Sequence, residues 1–165
     1  MKARTGAALL AVLMMTTASA MAQDVVRHKI PNSDFPIAQA VEVPAGKTTV
    51  YVSGAVPTVV DEKAEKGTLA AYGDTETQTV SVFRSIEKTL HGLDLKMGDV
   101  VKMQVFLVGD PSKGGKMDFG GFMKGYTQFF GTKDQPNLPS RSVVQVAGLA
   151  SPAFLVEIEV TAVRP

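Results

Sequence analysis

Two periodicities divide this chain. Alternation of apolar and polar residues, the pattern of a half-buried strand, runs weakly through Val25 to Ile30 and Ala38 to Val43. It is strong from Thr48 to Ser53, where Gly54 ends it. Asp99 to Val108 is apolar at nearly every second position and partly between, which predicts a central strand. Leu138 to Val163 reads as two more strands joined by a Gly/Ser/Pro turn.

The second period is helical. Val82, Phe83, Ile86 and Leu90 form one stripe and predict a helix over Thr75 to His91. Thr75 with Gln78 has the spacing of a capping box, and Gly92 stands where a helix-ending glycine belongs. Phe119, Phe122, Met123, Tyr126, Phe129 and Phe130 predict a second helix. Gly120, Gly121 and Gly125 lie within it, and each costs about 1 kcal/mol against Ala, so packing must hold it together. Thr58 to Gly73 is a polar connection whose Asp61–Lys66 charge cluster predicts a solvated loop or short exposed helix.

About six strands and two helices make an α+β domain with both helices on one sheet face. The other face is then bare, although its strands carry apolar positions on both sides. Nothing left in the chain can cover it, so a second subunit is expected there.

The first residues stand apart. Lys2 and Arg4 precede an apolar run from Ala7 to Met15, and Ala20-Met21-Ala22 has small residues at cleavage spacing. Residues 1–22 are expected to be a cleaved secretory signal, leaving 23–165 as one domain, periplasmic or secreted. The apolar run is too short to span a membrane. Without Lys2 and Arg4, 15 of the 17 basic residues face 16 acidic ones, which argues against a general nucleic-acid binder. The chain has no cysteine, which removes disulfides, thiol catalysis and thiolate metal sites.

Candidate chemistry is sparse. His28 and His91 have no neighbouring metal-ligand pattern, and no metal site is expected. The chain has neither G-x-S-x-G nor H-E-x-x-H, and Gly114-Gly115-Lys116 lacks the spacing of a phosphate loop. Charges in the last two strands are the exception. Arg141 opens one, and Glu157 and Glu159 share a face of the other. A guanidinium fork matches a carboxylate, so Arg141 can hold a small acid. It can equally form an internal ion pair with Glu157 that orients the strands. Glu159 reads as an exposed strand charge.

Several segments resemble the RidA (reactive intermediate deaminase, YjgF) family. They include Phe35 to Val41, Val52-Ser53-Gly54-Ala55, Tyr126-Thr127-Gln128-Phe129-Phe130, Pro139-Ser140-Arg141-Ser142 and Val156-Glu157-Ile158-Glu159. The ordered arginine and glutamate segments are the specific part, and the resemblance spans about residues 35 to 163. It implies a chorismate-mutase-like mixed six-stranded sheet with two helices on one face, assembled as a homotrimer with pockets between subunits. It also implies cofactor-free hydrolysis of enamines and imines of amino acids to 2-keto acids and ammonia. By the same resemblance Arg141 binds the substrate carboxylate and Glu157 acts with a water. Ser53, Gly54, Ile37 and Val143 line the pocket. Ile37 departs from a tyrosine frequent in the family, and Met123 from an asparagine. Two other readings are a non-catalytic protein that holds a small carboxylate, and the chaperone-like or ribonuclease roles suggested for relatives.

Overall fold

The structure, a computed structural model, describes residues 24–165; the expected signal segment lies outside them. Six strands form. β1 (Val26–Lys29) and β2 (Ala38–Glu42) make an antiparallel ribbon. β3 (Thr49–Ala55), β4 (Val100–Val108), β5 (Ser140–Val146) and β6 (Val156–Val163) make a mixed sheet in the order β3-β6-β4-β5. β4 is central, as its apolar pattern requires. It runs parallel to β5 and antiparallel to β6, so it separates the last two strands, which are not neighbours.

The ribbon adjoins the β5 edge rather than joining the sheet as full strands. One backbone bond, from Ala38 N–H to Pro139 O at 3.0 Å, makes the connection. Arg27 reinforces it by donating to the carbonyls of Val100, Leu138 and Gly98 at 2.9, 2.8 and 2.9 Å. These three bonds clamp the start of β4 to the segment entering β5, two residues before Ser140.

The polar connection contains one helical turn, α1 (Leu69–Tyr72), and its charge cluster is exposed except for Ala64. α2 (Thr75–His91) and α3 (Phe119–Tyr126) pack together on one face of the sheet. Phe129 and Phe130 fall in the turn after α3, still against the core. Val82, Phe83, Ile86 and Leu90 are fully buried against Met103, Val105, Leu107 and Ile158. Each such side chain contributes about 1.5–3 kcal/mol of burial.

The helix ends differ from the sequence reading. Asp74, not Thr75, caps α2 by accepting from Thr77 N–H at 2.9 Å. Gln78 faces inward instead of back along the helix. Its amide nitrogen donates to Gly73 O and Ala153 O, and its oxygen accepts from Leu155 N–H at 2.7 Å. Gly92 has an ordinary φ of −64°, and Asp94 takes the left-handed turn at 56°. The glycines of α3 explain how that helix forms. A Cβ on Gly125 would lie 2.7 Å from Thr79 Cβ, and one on Gly121 3.3 Å from Thr75 Cβ. Their absence lets the two helices approach, and the close packing offsets the lost propensity.

The face away from the helices carries Tyr51, Lys102, Gln104, Glu159 and Thr161, with Tyr51 81% exposed. No described residue of the chain forms a layer over it, as the count of layers predicted.

Candidate functional site

Strand register decides which charges can meet. Arg141 lies opposite Met103, a core residue, so its side chain leaves the helix face of the sheet. Glu157 lies opposite Phe106, three positions along β4, so it leaves the other face. The internal Arg141–Glu157 ion pair is not formed. Glu159 shares the face of Glu157, as its spacing predicted.

The Arg141 guanidinium is enclosed by aromatic rings. Its carbon lies 4.2 Å from the centroid of Tyr126, 5.0 Å from Phe122 and 5.6 Å from Phe35. Phe122 and Tyr126 come from α3, one turn apart on its buried side. Phe35 comes from the segment before β2, fixed there by Tyr126, whose hydroxyl donates to Pro36 O at 2.7 Å. Burial raises the Tyr126 hydroxyl to about 12, against the opposing pull of Arg141, so it remains a neutral donor. Burial also lowers the Arg141 pKa, with the neighbouring Tyr126 working the other way.

Rings stabilise a cation through their faces but accept no in-plane hydrogen bonds. Arg141 Nη2 donates to the thioether of Met123, with Sδ at 3.2 Å. Nη1 is buried and has no partner among the described residues. No described carboxylate forms an ion pair with Arg141; among the described residues Lys124 pairs with Glu76, and His28 shares a hydrogen bond with Glu42. An unsatisfied buried donor costs about 1–3 kcal/mol. Arg141 also borders a cavity of about 450 Å³, lined in part by Ile30, Ile37, Gln39, Lys102, Ser140 and Ser142. A caged cation with a donor left over can take an anionic partner.

Ile37 therefore meets Arg141 at one cavity. Val143 lies two residues on and faces the same way, but its side chain packs against the core and is not among the cavity lining. Ser53, Gly54 and Glu157 form a second cluster away from it. β3 is irregular between Val52 and Ala55, where Ser53 and Gly54 form a bulge beside Glu159. The Glu157 carboxylate lies on Gly54, where an added Cβ would sit 3.0 Å from the carboxyl carbon. A single chain thus carries Arg141 and the Gly54–Glu157 contact on opposite sheet faces.

Sequence reasoning passed over Phe35, Phe122 and Tyr126 as neighbours of Arg141. Their helical and turn spacing reads as ordinary core, and only the packing of α3 over β5 reveals the cage. Among the described residues no cluster of His, Asp and Glu could hold a metal, and no helix is long and apolar enough to cross a membrane.

The sequence matches the Endoribonuclease L-PSP family over residues 27–164. It is 31% identical over 134 residues to a RutC family protein of Leuconostoc mesenteroides, covering 81% of this chain and 92% of that one. The chain belongs to the RidA/YjgF family. Solved family structures share its architecture. The YjgF gene product of E. coli has a TM-score of 0.55 at 30% identity, covering 82% of this chain and 93% of that one. E. coli TdcF, solved with bound serine, has a TM-score of 0.56 at 29% identity, covering 87% of this chain and 99% of that one. The RidA-type α+β fold with six strands and helices packed on the sheet is therefore common to all three.

Proposed function

We propose that this protein hydrolyses small imines and enamines of amino acids to 2-keto acids and ammonia, without a cofactor. The observation that carries the reading is the Arg141 guanidinium, which has rings around it, only a thioether on Nη2 and no partner on its buried Nη1. A substrate α-carboxylate supplies the missing acceptor as a bidentate partner. TdcF with bound serine is a relative that takes a small molecule bearing this group.

The reaction needs little activation. The carbon of a protonated imine is electrophilic, and water adds to it when both are held in place. Glu157 accepts a proton from the attacking water and returns it to the nitrogen of the carbinolamine. The C–N bond then breaks as the carbinol hydroxyl gives its proton to Glu157, releasing ammonia and the 2-keto acid. Because Arg141 and Glu157 leave opposite faces of one sheet, the reading joins Arg141 of one subunit to Ser53, Gly54 and Glu157 of its neighbour. Val143 contributes backbone only. A homotrimer that covers the bare sheet face would create three such sites.

Residues 1–22 act in this reading as a secretory signal, and the mature protein works in the periplasm or outside the cell. Its imines would come from amino-acid oxidation there. The near-neutral charge of residues 23–165 disfavours a ribonuclease role, despite the family's name.

The test is ammonia release from imines generated in situ by an amino-acid oxidase. The wild type should accelerate it, and Arg141→Ala should not. Near-normal turnover in Arg141→Ala would sink the mechanism. Binding of 2-oxobutanoate without any acceleration would leave a non-catalytic carboxylate-binding protein, the reading that Ile37 and Met123 favour.

A further inference from the structure

Four described methionines, Met97, Met103, Met117 and Met123, are the soft oxidisable groups of this cysteine-free domain. Met97 and Met103 are buried at 5% and 0% exposure, whereas Met117 and Met123 are half-buried. Met123 differs from Met117 in what it touches. Its sulfur accepts from Arg141 Nη2 at 3.2 Å, and Nη1 beside it has no partner among the described residues. A thioether is a weak acceptor.

We propose that Met123 is an oxidation site whose sulfoxide occupies the anion site of Arg141 and closes it to carboxylates. The oxidant is a peroxide. A sulfur lone pair attacks the peroxide oxygen, the O–O bond breaks, methionine becomes its sulfoxide, and the peroxide is reduced to water. The new S–O oxygen carries partial negative charge and accepts strongly where the sulfur accepted weakly. The Met123 backbone is held, its carbonyl accepting from Thr127 N–H and from the Thr127 hydroxyl, both at 3.0 Å. The unbranched side chain still has rotatable bonds enough to turn the oxygen onto the guanidinium. Met123 is only half-buried, which leaves its side chain open to a molecule as small as a peroxide. The inference rests on the reading of Arg141 as a carboxylate site.

The experiment treats the full protein with hydrogen peroxide, maps the oxidised methionines by mass spectrometry, and measures 2-oxobutanoate binding by calorimetry. Oxidation at Met123 should weaken binding about tenfold or more, and methionine sulfoxide reductases of both epimer specificities should restore it. Met117→Leu should respond to peroxide as the wild type does. In Met123→Leu, binding before and after peroxide should be the same, whatever its starting level. A protein oxidised at Met123 that binds as tightly as the reduced form overturns the proposal. A ligand-free readout separates the two ideas. The Arg141 side-chain nitrogen signals should shift on oxidation, and unmoved signals also overturn it. Shifted signals in a protein that never binds 2-oxobutanoate would count against the carboxylate site and leave the sulfoxide contact standing.

Discussion

Arg141 and Glu157 leave opposite faces of the same sheet, one in register with Met103 and the other with Phe106. Both belong to strands flanking β4, yet no side-chain rotation can join them within one chain. The proposed reaction therefore needs Arg141 and Glu157 from two subunits.

That geometry makes assembly the first thing to measure. Light scattering should give three times the monomer mass. Tyr51, 81% exposed on the bare face, is a suitable probe. Tyr51→Asp should lower the mass and the activity together while the monomer's helical signal persists. An active monomer would contradict the two-subunit site.

Arg141 should cost stability in the absence of ligand. A buried cation without an acceptor can be replaced by an apolar chain at no loss or with a gain. Arg141→Met should unfold at higher urea concentration, by about 1 kcal/mol, while losing 2-oxobutanoate binding. A variant clearly less stable than the wild type would show that the cage needs its cation.

Gly54 should matter to activity more than to folding. A Cβ there meets the far end of the Glu157 side chain, which can move aside cheaply. Gly54→Ala should therefore displace the carboxylate and reduce kcat about tenfold. Its urea midpoint should barely change. Loss of stability without loss of turnover would reverse the assignment.

The glycines of α3 should respond oppositely. Gly125 faces Thr79 with no room, whereas a Cβ on Gly120 makes only an ordinary contact at 3.6 Å with Asp118. Gly125→Ala should destabilise by about 1–3 kcal/mol through overpacking. Gly120→Ala should gain about 0.5–1 kcal/mol of helix propensity. Equal effects in chemical denaturation would refute the close helix contact.

Asp74 gives a pH signature. Its hydrogen bond from the Thr77 backbone holds the carboxyl below its ordinary 3.8. A depressed folded pKa means that the stabilisation is complete above the unfolded value. It is lost as pH falls through the folded one. Asp74→Ala should lower Tm at pH 7, and the gap to wild type should narrow as pH falls below 3.8. A gap unchanged in acid would rule out the charged cap.

Much of the fold was legible because burial writes a period into the sequence. β4 showed its central place in the apolar residues on both its faces, and α2 showed its stripe. The helix ends were less legible. Gln78 has the spacing of a capping residue, but its side chain is buried and finds better partners at Gly73, Ala153 and Leu155. The site was half legible. The arginine and glutamate were conspicuous as charges in apolar strands, whereas the rings around Arg141 were indistinguishable from core.

The sequence by itself determined most of the elements and the family, because local periodicity and ordered motifs are properties of the chain alone. The tertiary structure decided three other things. It put β4 between the last two strands, turned Arg141 and Glu157 to opposite faces, and left one guanidinium nitrogen without an acceptor. Strand order and register are set by long-range pairing, and a shift of one residue in register reverses the face of every side chain. No local pattern in the sequence carries that information.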